Sequence, residues 1–98
     1  MTITKNLNGT DLEIALEGRL DTMTAPDLEE ELKKSLGGVE TLTFDFSKLE
    51  YISSAGLRVL FYAHKVMASK GGMKIRNINE IVQEVFEVTG SMDVLTIE

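Results

Sequence analysis

The sequence contains no cysteine and no tryptophan, and it has only one histidine and one proline. Without cysteine there is no disulfide framework, no thiolate zinc site and no cysteine nucleophile. Because His64 is the only histidine, a metal site built from several imidazoles is excluded as well. We therefore predict that the protein uses no metal ion and no other cofactor.

Long apolar runs and an excess of basic residues are also missing. No run approaches the roughly 20 apolar residues of a membrane-spanning helix, and residues 1–5 lack an export signal, so we expect a cytoplasmic protein. Ten Lys and Arg stand against 16 Asp and Glu, which gives a formal net charge of −6. Phosphate backbones and anionic lipids repel such a chain, which favours a protein partner over nucleic acid or a membrane.

A chain of 98 residues can bury one hydrophobic core. Its composition, 43% apolar and 27% charged, is ordinary for a globular protein. Residues 1–98 are therefore predicted to form a single domain, and an enzyme with a cleft between two domains is excluded.

Apolar periodicity predicts the secondary structure. Strands are predicted at residues 2–7, 11–17, 41–46, 73–76 and 94–97, and helices at 24–36, 54–69 and 78–88. Asn8-Gly9 is a strong hairpin signal between the first two strands, Thr24 is a candidate cap for the first helix, and residues 47–52 are predicted to be a connector.

The predicted element order is β-β-α-β-α-β-α-β, which indicates an α/β domain. Strands joined through helices pair in parallel, whereas the opening hairpin is antiparallel, so the sheet is expected to be mixed and mostly parallel. Because the strands alternate and each helix has one main apolar stripe, we expect the helices mainly on one face of the sheet.

The start of the second predicted helix is the most informative segment. Ser53 and Ser54 stand where a side-chain oxygen can cap free backbone N–H groups. An exposed serine there is also accessible to a kinase, so capping and phosphorylation are both open. The small pair Ala55-Gly56 admits a neighbouring backbone or a partner, and we expect Gly56→Leu to damage binding more than stability.

This segment resembles a signature of the STAS domain family. Residues 45–47 (DFS) and 53–60 (SSAGLRVL) match one family motif, and residues 17–21 (EGRLD) before the helix start at Thr24 match another. The resemblance covers essentially the whole chain, and in length the chain is most similar to the stand-alone bacterial anti-sigma factor antagonists.

The resemblance implies a non-catalytic binding module. Members of this kind bind an anti-sigma factor that is a serine kinase, and so release a sigma factor. The kinase inactivates the module by phosphorylating a serine at the helix start, and a PP2C-type phosphatase restores it. A member of this kind is expected to be a monomer when free.

Carried onto this chain, the resemblance assigns the phosphorylated position to Ser54. Many regulated members have Asp where this chain has Ser53, so Ser53 is a second candidate acceptor. The resemblance places Asp21 and Asp45 near this site, although on spacing alone a turn closed by Asp21 and a strand end capped by Asp45 fit equally well. The predicted partner-binding residues are Asp21, Asp45, Ser53, Ser54, Ala55, Gly56, Arg58, Val59 and Tyr62.

Three of these residues extend the site along the helix. Arg58 could contact an acidic partner surface, or it could simply be solvated. Val59 and Tyr62 widen the apolar surface of the helix, which suits a docking face or a helix buried on more than one side.

An enzyme is not expected. Ser54 and His64 are ten helical residues apart, about 15 Å along the axis, so they cannot form a catalytic dyad. The nucleophile-elbow and nucleotide-binding motifs are missing. Two other functions stay open: a module that senses a nucleotide or small molecule at the helix start, and a partner-switching regulator whose target is not transcription.

Overall fold

A computed structural model describes residues 1–98 and shows four strands and three helices. The strands are β1 (Thr2–Asn8), β2 (Asp11–Leu20), β3 (Thr41–Ile52) and β4 (Met73–Arg76). The helices are α1 (Ala25–Ser35), α2 (Ser54–Ala68) and α3 (Glu80–Val88), followed by a single 3-10 turn, Ser91–Asp93. In the sheet order β1-β2-β3-β4, β1 is antiparallel to β2, and the other pairs are parallel. The mixed α/β sheet predicted from the sequence is confirmed.

One hydrophobic core joins one face of the sheet to all three helices. Alternate residues of the two central strands are buried, namely Leu12, Ile14 and Leu16 on β2 and Leu42, Phe44 and Phe46 on β3. They belong to one cluster of 24 buried residues with the apolar stripes of the helices. The other face of the sheet carries partly exposed polar groups such as Glu13 and Thr43. None of the helices has the length and apolar composition needed to cross a membrane.

The opening hairpin forms as predicted, with its turn one residue later. Asn8 pairs with Asp11, so Gly9 and Thr10 make the loop, and Gly9 has the positive φ of 67° that glycine adopts most easily. Strand β1 lies at the edge of the sheet, and Leu7 on it stays 61% exposed.

The prediction of a connector at residues 47–52 is wrong, because β3 continues through them to Ile52. Between the pairs Ala15–Asp45 and Glu17–Lys48, β3 has one residue more than β2, and a second register shift follows Gly18. These irregularities are β-bulges, and each extra residue disturbs the alternation of apolar and polar side chains. An interrupted alternation is also typical of a loop, which is why the sequence predicted a connector at these residues.

The predicted strand at residues 94–97 is also wrong, since only an isolated parallel bridge joins Ile97 to Ile75. The Ile75 N–H donates to the Thr96 carbonyl at 2.9 Å, and the Glu98 N–H donates to the Ile75 carbonyl at 2.8 Å. The 3-10 turn occupies residues 91–93, and of the residues that follow it only Ile97 is bridged to β4.

Candidate functional site

The three helices begin at one common edge of the sheet. Strands β2, β3 and β4 are parallel, and each is followed by a helix. The carboxyl ends of parallel strands meet at one edge, where ligand and partner sites of α/β domains are commonly found. The Ser53 N–H donates to the Leu20 carbonyl at 2.9 Å and so fixes the start of α2 beside the loop after β2. Asp21 and Ser53 are therefore neighbours in space.

Ser53 is the residue that caps α2. Its backbone is extended, with φ −100° and ψ 176°, and its hydroxyl oxygen accepts a hydrogen bond from the Gly56 N–H at 3.4 Å. Its carbonyl accepts from the Leu57 N–H at 2.9 Å. The side chain of Ser53 is thus committed to the helix start.

Ser54 is the first helical residue, and its hydroxyl is free. The residue is exposed, and its side chain forms no hydrogen bond within the protein. It lies on the first turn, where unpaired N–H groups and the positive end of the helix dipole favour negative charge. Ser54 therefore combines accessibility with an environment that suits an anion.

Asp21 closes the loop between β2 and α1. Its Oδ1 accepts hydrogen bonds from the Met23 N–H at 3.0 Å and the Thr24 N–H at 3.2 Å. Partial desolvation acts to raise the pKa of Asp21, but these hydrogen bonds outweigh it and hold the pKa below its ordinary value. An ionised Asp21 holds this loop in place, and this is the turn-closing role that the spacing of the sequence also predicted.

Thr24 occupies the N-cap position of α1, but its side chain does not cap the helix. Its hydroxyl donates to the Arg19 carbonyl at 2.8 Å and accepts from the Asp21 N–H at 2.9 Å. The predicted capping role is wrong, because the loop between β2 and α1 uses this hydroxyl for its own closure.

Asp45 lies away from the serines, contrary to the expectation from the sequence. It pairs with Ala15 in the sheet, and Leu20 lies five positions after Ala15 on β2, a length of roughly 17 Å. It does not cap a strand end either, since β3 continues to Ile52.

The carboxylate of Asp45 anchors a different loop. Its Oδ1 accepts from the Asn77 side-chain amide at 3.0 Å and from the Ser47 N–H at 3.0 Å. These hydrogen bonds, Asn77 first, lower the pKa of Asp45, and the nearby Arg76 adds to the effect. Asp45 therefore ties the chain after β4 to the sheet.

The exposed face of α2 continues from Ser54 along the helix. Arg58, Phe61 and Lys65 follow it at spacings of four, three and four residues, which places all four on one face. Arg58 and Lys65 are exposed, while Phe61 and the neighbouring Tyr62 are half-buried. Phe61 and Lys65 were not among the residues predicted from the sequence to bind a partner. Counting helical spacing from Ser54 rather than from the core would have found both.

Two predicted partner contacts are buried instead. Val59 is only 6% exposed and belongs to the core, so this side of α2 packs within the domain. A Cβ on Gly56 would lie 2.7 Å from Leu20 Cγ and 2.9 Å from Ile52 Cγ1. The close approach at Gly56 is therefore made by the protein's own core. Ala55 stays half-buried at the edge of the exposed face.

A groove of about 610 Å³ lies at the other end of α2 and is lined by Asp11, Thr41, His64 and Lys74 among others. Thr41 and Asp11 stand at the starts of their strands, so the groove opens at the edge of the sheet opposite to Ser54. His64 lines this groove and lies ten residues after Ser54 along α2.

The amino-acid sequence is similar to one protein family and to two bacterial proteins. The sequence model of the STAS domain matches residues 2–98. The anti-sigma-B factor antagonist of Bacillus subtilis is 29% identical over 91 residues, covering 92% of this chain and 84% of that protein. BtrV of Bordetella bronchiseptica is 33% identical over 84 residues, covering 84% of this chain and 72% of BtrV.

Solved structures show the same fold. An anti-sigma factor antagonist from Mycobacterium paratuberculosis superposes with a TM-score of 0.88 at 20% identity, over 98% of this chain and 83% of that one. The Bacillus cell fate determinant SpoIIAA in its phosphorylated form gives a TM-score of 0.75 at 17% identity, over 99% of this chain and 91% of that one.

Proposed function

Because the chain belongs to the STAS domain family, we propose that it works as an anti-sigma factor antagonist, the activity for which its relatives are named. It binds an anti-sigma factor that is also a serine kinase, and this binding releases a sigma factor. The exchange takes place in the cytoplasm, the compartment of bacterial transcription, and the module itself catalyses no reaction.

The observation that carries this proposal is the contrast between two adjacent hydroxyls. Ser53 is held by the helix start, whereas Ser54 is exposed and free of hydrogen bonds. A kinase needs a hydroxyl that can enter its active site, and Ser54 meets that requirement without unwinding the helix. That SpoIIAA, a protein of the same fold, has a phosphorylated form supports the assignment.

The binding surface is the exposed face of α2. Arg58 and Lys65 make this face basic although the whole chain is acidic, and Phe61 and Tyr62 add aromatic area. Such a face fits a partner surface that carries acidic and apolar groups.

Phosphorylation reverses the charge at one end of that face. A phosphate on Ser54 brings about −1.5 to −2 charges and lies one turn from Arg58, within reach of an ion pair. The anion is then turned toward acidic groups of the partner, and the complex separates. A PP2C-type phosphatase restores the binding form by removing the phosphate.

The test is to incubate the protein with the serine-kinase anti-sigma factors of its host, with and without ATP. We expect a tight complex without phosphorylation, and then one phosphate on Ser54 located by fragment mass spectrometry. The variant Ser54→Ala should bind and stay unmodified. A phosphate on Ser53, or a phosphorylated protein that still binds tightly, would contradict the proposal. Native mass spectra that show a bound nucleotide without any kinase complex would favour the ligand-sensing alternative.

A further inference from the structure

Helix α3 carries a second exposed surface that the proposed function does not use. Ile81 is 56% exposed and Val88 is 80% exposed, while Val82 and Phe86 on the same helix are fully buried. Ile81, Val85 and Val88 follow each other at spacings of four and three residues, so they form an apolar stripe beside the buried face. The apolar surface of α3 is thus wider than the core requires.

A stripe of acidic residues runs along the other side of this apolar stripe. Glu80, Glu84 and Glu87 also follow at spacings of four and three, and each lies one position before Ile81, Val85 and Val88. At 3.6 residues per turn the two stripes are parallel and about 100° apart. Around the helix, a buried face, an exposed apolar stripe and an acidic stripe therefore follow one another.

The acidic stripe has no cation to balance it. Residues 77–98 contain five acidic residues and no lysine or arginine, and none of Glu80, Glu84 and Glu87 forms an ion pair. Helix α1 is different, since Glu29–Lys33 and Glu30–Lys34 are paired at 3.6 and 3.2 Å. Like charges at these spacings destabilise a helix, and an acid in the last turn opposes the helix dipole.

From these observations we propose that α3 is a docking surface for a partner protein that presents an apolar helical stripe flanked by lysine or arginine. Its apolar side chains cover Ile81, Val85 and Val88, and its cations lie against the glutamates. A second copy of this chain would bring the same uncompensated acidic stripe to the contact, and an anionic membrane would be repelled. The surface shares no residue with the exposed face of α2, so its occupation can be measured independently of the modification of Ser54.

The test uses a synthetic amphipathic helix of leucine and lysine, about 18 residues long, and a control peptide with glutamate in place of lysine. Isotope-labelled protein is titrated with each peptide and followed by NMR. We expect the lysine peptide to shift the amides of residues 80–88, and the glutamate peptide to shift nothing. Shifts spread over all acidic surfaces would overturn the proposal.

Variants separate the apolar and the charged contributions. The exposed pair Ile81→Ser and Val88→Ser should weaken peptide binding about tenfold or more, and Glu84→Gln with Glu87→Gln should do the same at low salt. The matched control, Glu29→Gln with Glu30→Gln on α1, removes equal charge and should leave the affinity almost unchanged. Equal weakening by the α1 control would overturn the proposal.

Two further measurements test whether the α3 surface acts independently of Ser54 and whether it binds a second copy of this chain. Ser54→Asp should bind the lysine peptide as the wild type does, whatever the fate of the anti-sigma factor proposal. Sedimentation of the free protein at high concentration should show a monomer. A dimer that the Ile81→Ser and Val88→Ser pair dissolves would assign α3 to self-association and overturn the inference.

Discussion

At the scale of single residues, the two neighbouring serines of α2 differ in what they do for stability. Ser53 accepts from the Gly56 N–H, whereas Ser54 bonds to nothing. We predict that Ser53→Ala lowers the free energy of unfolding by about 1 kcal/mol, and that Ser54→Ala changes it little. Urea denaturation of both variants makes the comparison. If Ser54→Ala is the more costly change, the cap has been assigned to the wrong serine.

Gly56 is enclosed by side chains of the hydrophobic core. Leu20 and Ile52, which a Cβ would meet, are both fully buried. Gly56→Ala should therefore destabilise the protein, because over-packing typically costs about 1–3 kcal/mol against a gain in helix propensity of about 1 kcal/mol. Gly37→Ala is the control, since its added Cβ has no heavy atom within 4 Å. This replaces the expectation that Gly56 serves a partner first. A Gly56→Ala protein as stable as the wild type would contradict the packing argument.

Asp45 should contribute to the pH dependence of stability. Hydrogen bonds from Asn77 and Ser47 lower its folded-state pKa below the ordinary value of 3.8. The folded protein then holds this proton less tightly than the unfolded chain, so the contribution is complete above that value and is lost as the pH falls through the lower folded pKa. Asp45→Asn should show a shallower loss of stability in acid, measured by urea denaturation below pH 5. Glu50→Gln, an exposed site without an ion pair, should keep the wild-type slope.

At the scale of elements, we expect a negative charge at the start of helix α2 to affect partner binding and stability in opposite directions. A negative charge on its first turn is favoured by roughly 0.3–1 kcal/mol, so Ser54→Asp should melt at or slightly above the wild-type temperature. The same charge should weaken binding to the kinase partner by about two decades or more. Melting curves measure the expected change in stability, and calorimetry measures the expected loss of affinity for the kinase partner. Ser69→Asp at the far end of α2 is the charge-matched control, and it should bind normally.

The elements also show what the sequence could predict. Helix α2 was predictable in extent and in its exposed serine, because its capping residues and periodicity are local properties. The course of β3 was not, since residues 47–52 are held in the sheet by pairing with β2, a contact that spans some 30 positions of sequence. The distance of Asp45 from Ser54 could not be predicted for the same reason, because the segment predicted to be a connector is an extended strand.

At the scale of the whole molecule, the hairpin and the serines lie at opposite ends of β2. Gly9 precedes this strand, the Leu20 carbonyl ends it beside Ser53, and the protein extends 33 Å along its longest axis. Gly9→Val places a β-branched residue at φ 67° and should lower the melting temperature. The folded fraction should still be phosphorylated at the usual rate, as a timed kinase assay would show. A fully folded variant that resists the kinase would mean that the functional surface extends to the hairpin.

The bulges of β3 also determine what a deletion in this strand would do. From Ala15 to Leu20 the strand β2 uses six residues, and opposite them β3 uses eight, from Asp45 to Ile52. With these two extra residues, β3 ends at Ile52 opposite Leu20, the last residue of β2, and Ser53 follows directly. Glu50 is one of the two extra residues, because Leu49 pairs with Gly18 and Tyr51 pairs with Arg19. Removing Glu50 would leave seven residues of β3 opposite six of β2, so the strand would lose its second bulge and still keep both its pairing near Asp45 and the bond from Ser53 to the Leu20 carbonyl.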